Sequence, residues 1–265
     1  MNDIAKDIHG ASADNHRTLW NAEAERYSRA PTARFEDDPF LAIVENSGAL
    51  TPQARVLDLG CGPGIYSVAI ASRVKEVMGY DVSEEMLEHA RERARNENRT
   101  NCTFSVLNWQ SADIEALGLV KSFGVSIARL TPAVDTIEDL DKLLECTENR
   151  LFFEQFVHRE HPWMRLAFEI AGAGSPWRDE RTFALIDHLH RTTSSFKLFE
   201  RQAQWGSEFR PWQDAADFCL RRLALRGPVS EELEQTIRRE FERRSVGGFV
   251  DAREKLTLVT VDCRP

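Results

Sequence analysis

The stretch Arg55 to Gly64, Arg-Val-Leu-Asp-Leu-Gly-Cys-Gly-Pro-Gly, limits what this chain can fold into more than any other. Val56, Leu57 and Leu59 make a short apolar run of the kind that forms a strand buried on both faces. The run stops at Gly60, Gly62 and Gly64, after which Ile65 to Ser72 reads as a helix. Glycine lacks a Cβ and tolerates positive φ, so a ligand can lie directly against this backbone. The helix that follows turns free N–H groups and its positive dipole end toward that ligand. Asp58 stands at the carboxyl end of the strand, where a carboxylate can face a cation. The stretch reads as a cofactor-binding turn.

Spacing narrows the choice of cofactor. A dinucleotide fingerprint runs Gly-x-Gly-x-x-Gly, whereas here the glycines run Gly-x-Gly-x-Gly and Ile65 follows. Val74 to Tyr80 reads as a second strand ending at Asp81, which lies 21 residues beyond Gly60. That is close to the roughly 20-residue spacing at which an acid meets ribose hydroxyls in βαβ units. Ser83 makes a good N-cap for a helix from Glu84 to about Asn96. Asp58-Leu59-Gly60-Cys61-Gly62-Pro63-Gly64 resembles the first motif of the class I S-adenosylmethionine-dependent methyltransferases. The resemblance implies that the loop holds the methionine end of S-adenosyl-L-methionine and that Asp58 helps to hold its ammonium group. It also implies Met86 near the adenine, with Cys61, Val82 and Ala128 among the cofactor-binding residues. An NAD-dependent oxidoreductase and a non-catalytic cofactor-binding module are the rival readings. A glycine turn that only packs helix on strand is the plain one.

Composition excludes some classes. With 34 basic and 43 acidic residues the net charge is −9, which disfavours a nucleic-acid partner. No apolar run approaches the roughly 18 residues of a membrane span, and Met1 to Gly10 lacks the apolar core of a signal peptide. Five cysteines, Cys61, Cys102, Cys146, Cys219 and Cys263, are scattered singly and read as reduced thiols of a cytoplasmic protein.

Leu19, Trp20, Ala24 and Tyr27 fall at helical spacing between Asn15 and Arg29. In the resembling family an N-terminal helix closes over the cofactor, and Trp20 or Tyr27 can do so here; anchoring the helix is the plain alternative. Pro31 ends that helix, and Asp38-Pro39 restarts a segment through Ala49. Cys102 to Leu107 reads as a third strand, with Asn108 and Trp109 just beyond it. The resemblance makes this loop the adenine wall: Asn108 accepts from the amino group and Trp109 offers a flat face, or Trp109 is simply core. Asp113 is an alternative acid. Phe123 to Ala128 reads as the fourth strand, Ile137 to Cys146 as a helix and Arg150 to Val157 as the fifth strand. Gly124 stands where relatives often carry aspartate, and Glu148-Asn149 where they often have a Gly-Gly turn.

Trp163 to Ala171 and Arg181 to His190 look helical, broken at Gly172 to Pro176. Phe196 to Phe199 begins a sixth strand, Lys255 to Val261 alternates as a seventh, and Asp214 to Leu225 and Ser230 to Arg244 are helices. Arginines of the second, Arg238, Arg239, Arg243 and Arg244, are offset by glutamates and read as a solvated face. Strands alternating with helices predict an α/β fold: a doubly wound, mostly parallel, seven-stranded Rossmann-like sheet. The resemblance adds a last strand antiparallel between the fifth and sixth, an N-terminal helical lid, and a helical cap inserted before the last strand. The whole of 1–265 is expected as one domain, with 1–50 the lid, 51–160 the cofactor core and 161–265 the substrate-side helices, cap and last strands.

Ligands of open α/β sheets bind beyond the carboxyl ends of the strands. Arg129, Thr131, Glu154, His158, Arg159, Glu160 and His161 fall at or near such ends. His158, Arg129 and Glu154 are the candidate catalytic residues, His158 or His161 removing a proton if the acceptor is a hydroxyl or ammonium. The His-x-x-His spacing also allows a metal with His188 or His190, but no cluster of recognised spacing supports it and no metal is expected. Pro162-Trp163, Pro176-Trp177 and Pro211-Trp212 mark helix starts that drop a tryptophan into the core, or else an aromatic pocket for the acceptor. The expected activity is methyl transfer to O, N, S or C of a small-molecule acceptor, without nucleic acid or membrane.

Overall fold

Four parallel pairings bring the carboxyl ends of the early strands to one edge, as the computed structural model, which describes residues 13–174 and 179–265, makes plain. In chain order the elements are α1 (Ala13–Ser28), α2 (Pro39–Asn46), β1 (Arg55–Leu59), α3 (Ile65–Ile70), β2 (Glu76–Asp81), α4 (Glu84–Asn96) and β3 (Cys102–Val106). A 3-10 turn at Trp109–Ser111 precedes β4 (Phe123–Arg129), α5 (Ile137–Cys146) and β5 (Thr147–Glu160). Next come α6 (Pro162–Ile170), α7 (Asp179–Thr192), β6 (Ser195–Trp205), β7 (Arg210–Pro211) and α8 (Trp212–Leu223). The last are α9 (Glu231–Arg244), β8 (Phe249–Val250) and β9 (Glu254–Arg264).

Helix starts follow local chemistry. The Asp38 carboxylate accepts from Phe40 N at 2.9 Å and Leu41 N at 3.0 Å, with Pro39 in the first turn of α2. Ser83 caps α4 through Met86 N, with Glu84 and Glu85 in the first turn and Arg93 and Arg95 in the last. Thr136 and Asp139 form a reciprocal capping box on α5.

Seven strands form one sheet in the order β3-β2-β1-β4-β5-β9-β6, and β7 and β8 pair separately. Leu59 lies beside Tyr80 on one side and Ala128 on the other, and Arg129 lies beside Glu154. The turn after β1 therefore sits between the ends of β2 and β4. Arg150 meets Asp262 at 2.9 Å and Glu154 meets Thr260 at 2.9 Å, so β9 counts down as β5 counts up. The two are antiparallel. Gly124 sits where the β4–β5 register shifts between Phe123 and Val125.

The described residues divide into two units. One comprises Trp20–Gln155, Arg181–Phe199 and Val259–Pro265; the other comprises the described parts of Met1–Leu19 and Phe156–Glu180 together with Glu200–Leu258. The first has a core of Phe40, Leu41, Val56, Ile70, Val125, Ile127 and Phe152 between α2, α3 and the sheet. Against the other side of the glycine turn, Val68, Leu87, Ala90 and Phe104 make a second cluster. In the other unit Phe168, Phe218, Ile237 and Phe241 lock α6, α8 and α9 together.

Several boundaries differ from expectation. Val74 and Lys75 lie before β2, and α3 ends at Ile70, not Ser72, leaving a six-residue helix whose dipole is small. β5 starts at Thr147, so Glu148-Asn149 is strand rather than turn, and it runs on to Glu160. β9 is available as a partner along that length, and a paired strand extends past its apolar stretch. β6 and β9 are likewise longer than the sequence pattern suggests. Pro176-Trp177 lies outside the described residues; Trp163 is drawn against Phe241, with centroids 4.8 Å apart, and is helix packing rather than an open aromatic face.

Candidate active site

The turn after β1 is shaped by three glycines with φ of 69°, 52° and 75° at Gly60, Gly62 and Gly64. Gly60 N and Cys61 N both donate to Tyr80 O, at 2.7 and 3.0 Å, which fastens the turn to β2. A Cβ at Gly60 would collide with the Thr131 hydroxyl, and one at Gly64 would press on Ala90 at 3.0 Å. At Gly62 the nearest atom is Met86 Sδ, at 4.0 Å. Two glycines thus admit close packing behind the turn, and the third leaves its face open to a ligand.

Asp81 closes the site at the end of β2. Its Oδ2 accepts from Gly62 N at 2.9 Å and its Oδ1 from Ser83 N at 3.0 Å. Burial pushes this carboxyl above its ordinary value, against the pull of the Ser83, Gly62 and Val82 amides. Each carboxylate oxygen has a further lone pair, so Asp81 keeps acceptors for hydroxyl donors while its orientation is fixed by backbone.

Asp58 is buried, 3% exposed, and takes the Ser67 hydroxyl at 2.5 Å. Burial raises its pKa from 3.8 to about 7; Ser67 pulls it back, the Asp81 charge adds to the rise, and Arg129 opposes it. Between those two values the folded chain keeps a proton that the unfolded chain has lost, so Asp58's contribution to stability falls as pH rises across that window. The ligand-free protein should therefore melt lower at pH 8 than at pH 6, and Asp58→Asn should flatten that dependence in thermal denaturation. An unchanged slope in the variant would assign it to other groups.

The other residues expected on the cofactor side take varied positions. Cys61 is 8% exposed and its thiol pKa is pushed up by burial, so it backs the turn as a neutral group. Met86 is buried beside Gly62, Val82 follows Asp81 half-buried, and Ala128 is buried between Leu59 and Phe153. Asn108 is half-buried at the head of the 3-10 turn. Trp20 and Tyr27 meet edge to face at 5.9 Å on α1. Trp20 Nε1 and Asn21 Oδ1 are buried without a hydrogen-bond partner among the described residues.

Trp109 corrects its expectation. It is 1% exposed and its indole N–H donates to Asp139 O at 3.0 Å, so the ring fills the interior and offers no face. An indole buried in apolar surroundings needs a partner for its one donor, and the α5 backbone provides it. Trp109→Phe should cost about 1–2 kcal/mol in chemical denaturation, since the Asp139 carbonyl loses its donor. Affinity at the glycine turn should be untouched; a binding defect without a stability defect would reverse this placement.

The end of β4 is equally constrained. Leu130 has φ 52°, its N–H donates to Glu154 O at 2.8 Å, and Thr131 O accepts from Gln155 Nε2 at 2.8 Å. Arg129 Nε is 2.8 Å from Glu154 Oε2, and its guanidinium lies over the Tyr66 ring at 4.3 Å and the Phe40 ring at 5.5 Å. Glu154 is 0% exposed and also accepts from Thr260 Oγ1 at 2.9 Å. It is the counter-ion that fixes Arg129, which corrects its expected role as a group facing an acceptor. Tyr66, kept protonated by burial, donates to Asp38 at 2.8 Å.

His158 belongs to the other unit and is exposed on β5, as is Glu160. His161 is no base: Nδ1 caps α6 through Met164 N at 3.2 Å, the ring stacks on Phe218, and burial lowers its pKa to about 4. Arg159 is held bidentately by Glu254 at 2.6 and 3.0 Å. His188 contacts Asp141 at 2.6 Å and His190 packs on Phe196. Among the described residues no three His, Cys, Asp or Glu side chains gather as metal ligands, and no helix is long and apolar enough to cross a membrane. Ser67, Tyr66 and Thr260 belong to the site's frame and went unnoticed in the sequence. Only Ser67 and Tyr66 carried any signal, their closeness to the glycines.

Comparison with known proteins gives concordant results. A family model described as a methyltransferase domain matches residues 50–211. Trans-aconitate 2-methyltransferase of Mycobacterium sp. (strain KMS) is 39% identical over 82 residues, 30% of this chain and 30% of that protein. An uncharacterized RNA methyltransferase of Halalkalibacterium halodurans is 36% identical over 85 residues, 30% of this chain and 18% of that protein. The chain thus spans less than a third of the length of these relatives. The crystal structure of the YcgJ protein from Bacillus subtilis superposes with TM-score 0.54 at 14% identity, covering 85% of this chain and 98% of that one.

Proposed function

Because the chain belongs to the class I S-adenosylmethionine-dependent methyltransferases, we propose that it methylates a small-molecule acceptor. The observation that carries the methyl-donor half is the glycine turn with its open face at Gly62 and Asp81 beside it. S-adenosyl-L-methionine supplies, when bound, a sulfonium methyl group open to in-line attack. The residues present fit it: Asp81 has lone pairs for both ribose hydroxyls, Gly62 admits close approach, and buried Asp58 is a carboxyl group whose ionised form a cationic methionine end would favour. Met86, Val82, Asn108 and Ala128 are the residues we assign to the adenosine side, and Trp20 and Tyr27 of α1 are assigned to cover the bound cofactor.

A net charge of −9 gives little long-range attraction for a polyanion, which favours a small molecule over RNA. Positioning and desolvation supply much of the rate of such a displacement. Arg129, held by Glu154, presents a fixed cation at the end of β4, toward which an acceptor with an anionic or polar group would be drawn. Radiolabelled methyl transfer screened against a metabolite library and against total RNA tests this reading. Label appearing in RNA and in no metabolite would overturn the small-molecule assignment and leave the methyl donor standing.

A further inference from the structure

One arginine holds the exit of α1 and the glycine turn together. From α4, Arg93 Nε donates to Pro63 O at 2.8 Å, inside the turn. Its Nη2 donates to Ser28 O at 3.0 Å and Ala30 O at 2.8 Å, at the end of α1, and its Nη1 to Thr32 Oγ1 at 3.1 Å. The Thr32 hydroxyl donates onward to the Glu97 carboxylate, also at the end of α4. A further contact lies alongside: Ala33 N donates to Ile65 O at 3.2 Å, the residue that opens α3. A planar fork with N–H groups in fixed, divergent directions suits carbonyls of two segments on opposite sides of it. The segment 28–33 is thus docked on the turn, while α1 carries polar atoms of Trp20 and Asn21 that find no partner among the described residues.

We propose that Arg93 is a positioning residue that couples α1 to the glycine turn, so that cofactor seated on the turn and the rings of Trp20 and Tyr27 are held as one unit. This rests on the reading of the turn as the S-adenosyl-L-methionine site. A ligand that fixes Pro63 fixes the Arg93 fork, and the fork fixes the helix end that carries Tyr27. Without the fork the turn still binds, and the helix moves independently of it.

Hydrogen exchange with and without S-adenosylhomocysteine, together with stopped-flow release of that ligand, tests the proposal. In the unmodified protein the ligand should slow exchange over both 60–64 and 20–30. In Arg93→Ala it should slow exchange over 60–64 alone, and release should be at least about tenfold faster, the effect of about 1.4 kcal/mol. Arg93→Lys keeps the charge and stem, gives a folded second variant, and should remain uncoupled, because one ammonium cannot span the two sets of carbonyls. Arg91→Ala, which removes bonds to Glu84 and Phe104 O on the same helix, should leave coupling intact. Ligand-induced protection of 20–30 persisting in both Arg93 variants, or lost equally in Arg91→Ala, would overturn it. Failure of the unmodified protein to bind S-adenosylhomocysteine would instead remove the cofactor reading, and the coupling with it.

Discussion

Arg129→Ala is expected to lower the unfolding free energy by about 3 kcal/mol or more. Its partner Glu154 is 0% exposed, and the Arg129 side chain is 13% exposed, so the pair is almost wholly out of water. Removing one member strands a buried carboxylate, which typically costs about 3–5 kcal/mol. The loss of the guanidinium stacked on Tyr66 adds to this through packing as well as charge. Urea denaturation of the single variant, and of Arg129→Met combined with Glu154→Leu, separates the contributions. The double variant should recover much of the loss, since a well-packed apolar pair often equals a buried ion pair. Wild-type stability in Arg129→Ala alone would mean that the pair contributes nothing. Activity lost in that variant must accordingly be read beside its stability, because this residue serves the frame as well as its proposed role toward the acceptor.

Asp81→Asn should weaken binding of S-adenosylhomocysteine by about 2–3 kcal/mol, or roughly 30- to 150-fold. The substitution looks conservative and is not. Both carboxylate oxygens already accept backbone N–H groups, from Ser83 and from Gly62. Whichever way the asparagine amide turns, its NH2 meets one of those donors, and one acceptor for the ribose hydroxyls is lost. Titration calorimetry on the folded variant measures the effect. Affinity within threefold of wild type would show that Asp81 shapes the turn without holding ligand.

What was readable in the sequence was local. Gly60, Gly62 and Gly64 follow an apolar strand directly, and Asp81 lies at a spacing set by one βαβ unit, so the cradle could be placed before its geometry was known. Trp109 was not, because its burial depends on Asp139, 30 residues on, whose carbonyl takes the indole proton. Glu154 looked like a strand-end acid until β5 continued six residues beyond it and Thr260, 106 residues away, faced it. His161 resembled a base beside His158 and proved to be a helix cap, a role that His shares with no obvious motif. Arg93 is one of several arginines on an exposed-looking helix; nothing near it in sequence announces bonds to residues 61 to 65 positions away. The pair β7–β8, two residues each, is below any pattern that alternation can register.

The position of β9 has a temporal consequence. A ribosome emits β5 and β6 long before β9, yet β9 is the strand that stands between them. Until Thr260 and Asp262 emerge, Glu154 and Arg150 face an empty lane in the sheet, Glu154 lacking the Thr260 hydroxyl and Arg150 the Asp262 carboxylate. Folding of the central sheet is therefore gated by the emergence of β9 and by a slow, long-loop insertion. Nascent chains halted between residues 205 and 254 should hold an open edge on β5, the kind of surface that chaperones shield and that sticks to its own copies.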